Sequence, residues 1–247
     1  MKHSTPIRFQ LVPRANLRSA TRAAMFNLLA QHFIGATREQ FTRDLEEKDL
    51  ALLLERDEKL VGFSTLLACS TRFESSMVNV IYSGDTIVAP EAWGTTALPR
   101  AWVAGVDTLR ATLGPGPCYW LLLTSGFRTY RFLPVFWREF FPRYDAPTPP
   151  GMQRLLSQLG SERFGSQFLP GKGIVRFEHP QKLRGELENV PPGREVDPHV
   201  SFFLSHNPGH AEGDELVCVT ELSPENLTAA GRRMMPPPSY ATESGHC

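Results

Sequence analysis

The 247-residue sequence predicts an α/β fold, because strand-like and helix-like patterns alternate along its first 145 residues. A short strand over 6–14 is followed by apolar residues that recur at helical spacing from Leu17 to Phe33. The continuous apolar run CYWLLLT (118–124) is typical of a strand that is buried on both faces of a sheet. These patterns indicate a central sheet that is flanked by helices.

Local signals predict the other elements of this region. Thr37 and Gln40 form a capping box that starts a second helix. The runs LALLLER and LVGFSTLLAC flank the polar turn DEK, which predicts a hairpin. Residues 77–88 predict a further strand with a bulge at Gly84, and apolar positions over 95–113 predict a third helix.

Beyond these elements, the aromatic segment 129–141 predicts a helix and the turn-rich segment 142–151 predicts a linker. Two later runs, PHVSFFLSH and DELVCVTEL, are predicted to be strands, and a short helix is predicted near 152–160. The predicted parts of the chain are a main domain (1–145), a C-terminal extension (146–231) and a disordered, proline-rich tail (232–247).

Composition does not favour several classes of partner. Lys plus Arg and Asp plus Glu both total 26, so the formal net charge is zero. That balance gives no electrostatic reason to expect nucleic acid or an anionic membrane as a partner. No stretch approaches the roughly 20 apolar residues of a membrane-spanning helix, and the first residues lack the apolar core of a secretory signal. We therefore expect a soluble cytoplasmic protein.

The order β-α-α-β-β-β-α-β-α of the first 145 residues resembles the GCN5-related N-acetyltransferase (GNAT) superfamily. DEKLVGFSTLL (57–67) is similar to the third strand of the family, and TIVAPEAWGTTAL (86–98) is similar to its fourth strand and cofactor loop. VFWREFFPRY (135–144) is similar to the end of its fourth helix. The chain departs from the family pattern at four positions: Trp93, Thr96, Leu98 and Trp137.

The resemblance implies a GNAT-like mixed, mostly antiparallel sheet flanked by helices, together with transfer of an acyl group to an amine of a small molecule. The implied donor is acetyl-CoA or another acyl-CoA, with an acyl carrier protein as an alternative, and homodimers are common in this fold. The cofactor pyrophosphate would meet backbone N–H groups at the start of the third helix. The implied cofactor-binding residues are Val88, Trp93, Gly94, Thr95, Thr96 and Arg100. A second interpretation is that Thr95 or Thr96 caps the helix and that Arg100 is solvated.

Acyl transfer to an amine needs a base, and in this family the base is often a carboxylate near the fourth strand. Asp85 and Glu91 are the candidates. Asp85 lies within an apolar strand, where an unpaired acid is costly to bury, so it needs either a hydrogen-bond partner or a catalytic task. Tyr130 is a candidate acid, or alternatively a packed core tyrosine. The predicted substrate-binding residues are Glu74, Arg128, Arg131 and His206.

Two other interpretations remain open. His206, His210 and Asp214 are possible metal ligands, but their spacing matches no metal motif, so we predict a hairpin loop and no metal. The alternative to an enzyme is a non-catalytic GNAT-like protein that binds a small molecule or a partner. Trp93, Thr96 and Trp137 favour that alternative because they replace residues that the family uses.

Overall fold

A computed structural model describes residues 5–187 and 189–235, which form one large sheet with helices on both faces. The strands are β1 (Arg8–Pro13), β2 (Phe33–Ile34), β3 (Leu50–Arg56), β4 (Lys59–Phe73), β5 (Ser76–Val88), β6 (Cys118–Thr124), β7 (Phe168–Leu169), β8 (Ile174–Val175), β9 (Lys182–Leu183) and β10 (Glu215–Glu221). The helices are α1 (Ser19–His32), α2 (Arg38–Glu46), α3 (Ala97–Arg110), α4 (Phe127–Tyr130), α5 (Phe132–Phe136), α6 (Pro150–Phe164), α7 (Pro198–His206) and α8 (Ala229–Arg232).

The large sheet has eight strands in the order β1-β3-β4-β5-β6-β10-β8-β7. Its neighbouring strands pair antiparallel, except that β5 and β6 pair in parallel. The short strands β2 and β9 form a separate antiparallel pair. The predicted fold class, a mixed and mostly antiparallel sheet flanked by helices, is confirmed.

Alternating side chains divide the core between the two faces of the sheet. On β6, Trp120 and Leu122 belong to a core cluster with α3 and α7, whereas Leu121 and Leu123 belong to a cluster with α6. The same alternation on β3 places α1 and α2 on the face opposite α3. Helices α1, α2 and α6 therefore cover one face, called here the α6 face, and α3 covers the other, called the α3 face.

Gly105 allows α3 to lie close to the sheet. A Cβ built at this position would lie 2.7 Å from Cδ2 of Leu52 and 3.0 Å from Cδ1 of Leu66. We expect Gly105→Ala to lower the free energy of unfolding by about 2 kcal/mol, because overpacking outweighs the better helix propensity of alanine. Denaturant unfolding measures this change. Gly114→Ala is the control, since a Cβ at Gly114 would meet no described atom within 4 Å, and a Gly105→Ala variant as stable as wild type would contradict the prediction.

The segment PHVSFFLSH was predicted to be a strand, and this prediction is wrong. The segment forms helix α7, in which Pro198 occupies the first turn and the Asp197 side chain accepts a hydrogen bond from the N–H of His199 at 3.0 Å. A capping aspartate followed by proline is a strong helix start signal. That local signal outweighs the strand-like run of aromatic and β-branched residues.

The predicted helix over 129–141 is also wrong in extent. The segment holds the end of α4 and all of α5, after which Trp137 and Phe141 form isolated bridges to Leu227 and Val219. Helix α6 begins at Pro150, inside the predicted linker 142–151, and is longer than the short helix predicted near 152–160.

The predicted C-terminal extension supplies strands to the main sheet, since β10 pairs with β6 and with β8. The boundary at residue 145 stays a prediction. Of the predicted tail, Arg232 ends α8 and Met234 is buried, whereas 236–247 lie outside the described residues. Within the described ranges, no helix combines the length and the apolar character needed to cross a membrane.

Candidate functional site

Strands β5 and β6 separate in the middle of the sheet. Their parallel register ends at Ser83 and Leu122, although the strands continue to Val88 and Thr124. At the end of this register, the indole Nε1 of Trp120 donates a hydrogen bond to Oγ of Ser83 at 2.8 Å. Beyond this bond the two strands diverge and leave a gap.

A bulge in β5 lies beside this gap. Where β4 places one residue, Thr65, β5 places two, Gly84 and Asp85. The shift in register confirms the predicted bulge at Gly84. Bulges redirect side chains and are frequent next to active sites. Here the half-buried side chain of Asp85 lines the cavity that opens at the gap.

The cavity has a volume of about 560 Å³. Its wall includes Trp102 and Leu122 from the core on the α3 face, and Tyr82 and Phe164 from the core on the α6 face. Because these residues lie on opposite faces of the sheet, the cavity passes through the sheet between β5 and β6. Its size is sufficient for a small organic ligand.

On the α3 face, the cavity wall includes the turn that precedes α3. Gly94 has φ +74°, and a Cβ built there would meet no atom of the described residues within 4 Å. Thr95 Oγ1 donates to the carbonyl of Ala92 at 3.1 Å, and Thr96 makes no side-chain capping bond to described residues. Thr96 therefore stands at the N-cap position of α3, as the second interpretation has it, but without a side-chain capping bond to the described residues. The first N–H groups of a helix have no intrahelical partner.

Other predicted cofactor-binding residues are divided between the cavity and the surface. Trp93 Nε1 donates to the carbonyl of Val88 at 2.9 Å, and the Arg128 guanidinium lies 4.7 Å from the centroid of the Trp93 ring. Val88, Trp93 and Arg128 all line the cavity. Arg100 is exposed and is not among the described residues of the cavity wall. Pro99 lies in the first turn of α3 and has no N–H, which reduces the number of donors there.

Charged groups line the cavity on the α6 face: the carboxyls of Asp44, Glu47, Asp85 and Glu215, and the cations of Lys48 and Arg163. Burial raises the pKa of Asp85 to about 6, while the Lys48 ammonium opposes the rise. Burial raises the pKa of Glu215 to about 8, and the charges of Asp85 and Asp44 add to this rise. Near neutral pH, Asp85 is therefore mostly ionised and Glu215 mostly protonated, so one accepts a proton and the other can donate one.

The structure places the other two catalytic candidates away from the cavity. Tyr130 is fully buried in the core, where its hydroxyl donates to the carbonyl of Pro142 at 3.0 Å and burial raises its pKa. This geometry corresponds to the packed core tyrosine rather than to an acid that contacts a ligand. Glu91 is exposed on the 3-10 turn Pro90–Ala92 and does not belong to the described cavity wall.

Of the predicted substrate-binding residues, only Arg128 belongs to the described wall of the cavity. Glu74 pairs with Arg154 at 2.6 Å, and Arg131 pairs with Asp197 at 3.1 Å. His206 is exposed at the end of α7. These three side chains have structural or surface positions, which sequence patterns do not distinguish from positions in a site.

The predicted hairpin loop is wrong, since the histidine-containing segment connects helix α7 to strand β10. Asp214 accepts hydrogen bonds from Arg176 at 2.9 and 2.6 Å, and the ring of His210 contacts the carbonyl of Asn207 at 3.0 Å. In the part of the chain that the structure describes, no three His, Cys, Asp or Glu side chains are grouped in a way that could hold a metal ion.

Comparison with known proteins gives matches in structure only. No protein-family model matches the chain, and no curated protein matches it in sequence. A conserved protein of unknown function from Enterococcus faecalis V583, named "Probable N-Acyltransferase", is 16% identical with a TM-score of 0.42. That match covers 55% of this chain and 33% of the other, so this chain spans about one third of that protein.

Two other matches are an acyl-CoA N-acyltransferase from Pseudomonas aeruginosa and the GNAT family N-acetyltransferase YhbS from Escherichia coli in complex with CoA. The first is 16% identical, with a TM-score of 0.35 and coverage of 47% of this chain and 79% of the other. The second is 14% identical, with a TM-score of 0.36 and coverage of 50% and 67%. The sheet has the mixed, mostly antiparallel architecture that the sequence resemblance implied.

Sequence reasoning missed several charged residues of this cavity, among them Lys48 and Glu215. Lys48 lies in the run LEEKDL, which reads as a solvated stretch of charges, and Glu215 precedes an apolar strand, where surface acids are common. The register of β10, with Leu216 opposite Thr124, places Glu215 at the gap. No local signal in the sequence contains this long-range register.

Proposed function

We propose that this chain is an acyltransferase that moves an acyl group from acyl-CoA to an amine of a small molecule. One observation carries the proposal: a single cavity passes through the sheet and joins the turn before α3 to the carboxyl of Asp85. An anion-binding turn and a base on opposite faces of a sheet suit two ligands that meet in the gap between β5 and β6.

The residues on the α3 face fit the phosphates of acyl-CoA. The open space at Gly94 admits a close approach to the backbone. The N–H groups and the dipole of α3 favour an anion at its N-terminus, and Arg128 adds positive charge to the same wall. Acyl-CoA supplies an activated thioester when it is bound.

The residues on the α6 face fit the amine and its proton. Asp85, on the bulge, accepts the proton that an ammonium must lose before it becomes a nucleophile. Glu215, which is protonated near neutral pH, donates a hydrogen bond or a proton into the same space. Aromatic residues from both faces, Trp102, Trp120 and Phe164, also line the gap.

The second candidate function is a non-catalytic protein that binds a small molecule. The proline at position 99 favours it, because this residue removes one N–H from the first turn of α3. An acyl carrier protein as donor belongs to the first candidate and is tested with it, and a homodimer as the working assembly is a separate proposal.

Ligand-dependent thermal unfolding separates the two candidates. We expect CoA at about 100 times its Kd to stabilise the protein by about 2.7 kcal/mol, because a ligand that binds only the native state shifts the unfolding equilibrium. Pantetheine lacks the pyrophosphate and should stabilise the protein less at the same concentration. Release of free thiol from acetyl-CoA, or from an acyl carrier protein, with a panel of amines then measures transfer. Stabilisation by an amine but not by CoA would favour the binding protein.

A further inference from the structure

Lys48 is a buried cation that the proposed reaction has not used. It lies between α2 and β3, and its exposed fraction is only 4%. Its Nζ donates to the backbone carbonyl of Asp44 at 2.8 Å and lies 5.4 Å from the centroid of the Tyr82 ring. None of the ion pairs within residues 5–187 and 189–235 includes Lys48. A buried ammonium is costly unless nearby negative charge compensates for lost hydration.

The side chain of Lys48 passes directly beneath the bulge of β5. A Cβ built at Gly84 would lie 2.5 Å from Cε and 3.2 Å from Nζ of Lys48. Gly84 is not among the glycines with positive φ, so the backbone conformation does not require glycine there. A side chain there would instead displace the end of Lys48 and would meet Oγ1 of Thr65 at 2.9 Å. The residue after this glycine is Asp85, the carboxyl on the cavity wall.

Several charged or titratable groups surround Asp85: Asp44, Glu47 and Lys48 from α2 and the residues after it, Arg163 from α6, Tyr82 from β5 and Glu215 from β10. Among them, the Lys48 ammonium lowers the pKa of Asp85, whereas the Asp44 carboxylate raises it. The influence is mutual, since burial lowers the pKa of Lys48 and the Asp85 carboxylate opposes that fall. Arg163 is engaged elsewhere, in an ion pair with Glu47 and over the ring of Tyr82.

We propose that Lys48 is the positioning residue of Asp85: its ammonium, held beneath the bulge in the space left by Gly84, keeps the Asp85 carboxyl ionised inside the cavity. The catalytic meaning of this pair rests on the proposed acyltransferase function, in which Asp85 is the base. The pair itself is a property of the folded chain and is measurable without any reaction.

The direct test is a ¹³C NMR titration of the Asp85 carboxyl in wild type and in Lys48→Met. Removal of an opposite charge destabilises the carboxylate, so we expect the pKa of Asp85 to rise from about 6 by about one unit or more. The lower limb of the pH profile of kcat/KM should move to higher pH by the same amount. Lys172→Met, at an exposed lysine, is the control and should move neither. Identical Asp85 titrations in wild type and Lys48→Met would overturn the proposal.

Gly84→Ala tests the same pair with Lys48 still present. The new methyl group displaces the flexible end of the lysine, so the pKa of Asp85 should rise as it does in Lys48→Met. In the reciprocal titration, Asp85→Asn should lower the pKa of Lys48, followed by ¹⁵N NMR of Nζ. If Lys48→Met does not fold, Gly84→Ala and Asp85→Asn still test the proposal. Unchanged titrations in both variants would reject the interaction between Lys48 and Asp85.

The NMR and kinetic results separate this proposal from the proposed function. Shifted titrations without measurable acyl transfer would support the pair and reject the acyltransferase. Acyl transfer whose pH profile is the same in wild type and Lys48→Met would support the acyltransferase and reject the pair.

Discussion

Asp85→Asn is expected to lower kcat for acyl transfer by a factor of about 100 or more, because a positioned general base contributes about 10² to 10⁴ to such a reaction. Asparagine has nearly the same shape as aspartate but cannot accept the proton of the amine. Steady-state assays with acetyl-CoA and a reactive amine measure the loss.

The pH dependence identifies the group. The pKa of Asp85 is about 6, and the base acts in its ionised form, so wild-type activity should fall as the pH falls through about 6. The residual activity of Asp85→Asn should not show this fall in activity at low pH. Glu91→Gln is the matched control, since Glu91 was the other predicted base but is exposed outside the described cavity wall. A large loss in Glu91→Gln with a small loss in Asp85→Asn would reverse the assignment.

Glu215→Gln is expected to stabilise the protein at pH 8 by about 3 kcal/mol, because one unit of pKa shift corresponds to about 1.4 kcal/mol and part of this shift is lost to solvent screening. Burial raises the pKa of Glu215 from 4.5 to about 8. As the pH rises between these values, the unfolded chain releases this proton while the folded chain retains it. Wild-type stability therefore decreases across this window, whereas glutamine, which carries no charge, avoids the decrease.

Denaturant unfolding at pH 4.5 and pH 8 measures this effect. The free energies of unfolding of wild type and Glu215→Gln should converge near pH 4.5 and differ most at pH 8. Glu221→Gln, at the exposed far end of the same strand, is the control and should follow wild type at both pH values. A difference between wild type and Glu215→Gln that is the same at both pH values would show that ionisation of Glu215 is not its cause.

Local signals were sufficient to predict much of the framework of the site. The N-cap half of the predicted capping box was correct, since Thr37 accepts a hydrogen bond from the N–H of Gln40 at 3.2 Å. The bulge at Gly84 was also correct, because a glycine followed by an acid interrupts an otherwise apolar strand. These features depend on residues close in sequence, and the placement of Asp85 on the cavity wall followed from them.

The partners of Asp85 could not be predicted in the same way. Lys48 reaches the bulge from a segment that reads as solvated charge, and Glu215 reaches it through the pairing of β10 with β6. Both placements depend on how distant segments pack. The same limit explains Glu74 and Arg131, which pair with Arg154 and Asp197 instead of facing the cavity.

Strand β10 has a further consequence for synthesis of the chain. It covers the edge of β6, with Val217 opposite Leu123 and Val219 opposite Leu121, yet it is made long after β6. While the chain emerges from the ribosome, this apolar edge has no strand beside it. Unpaired edges of this kind are templates for pairing with other chains. The interval between synthesis of these two strands is therefore one in which the edge of β6 is open to pairing with another chain.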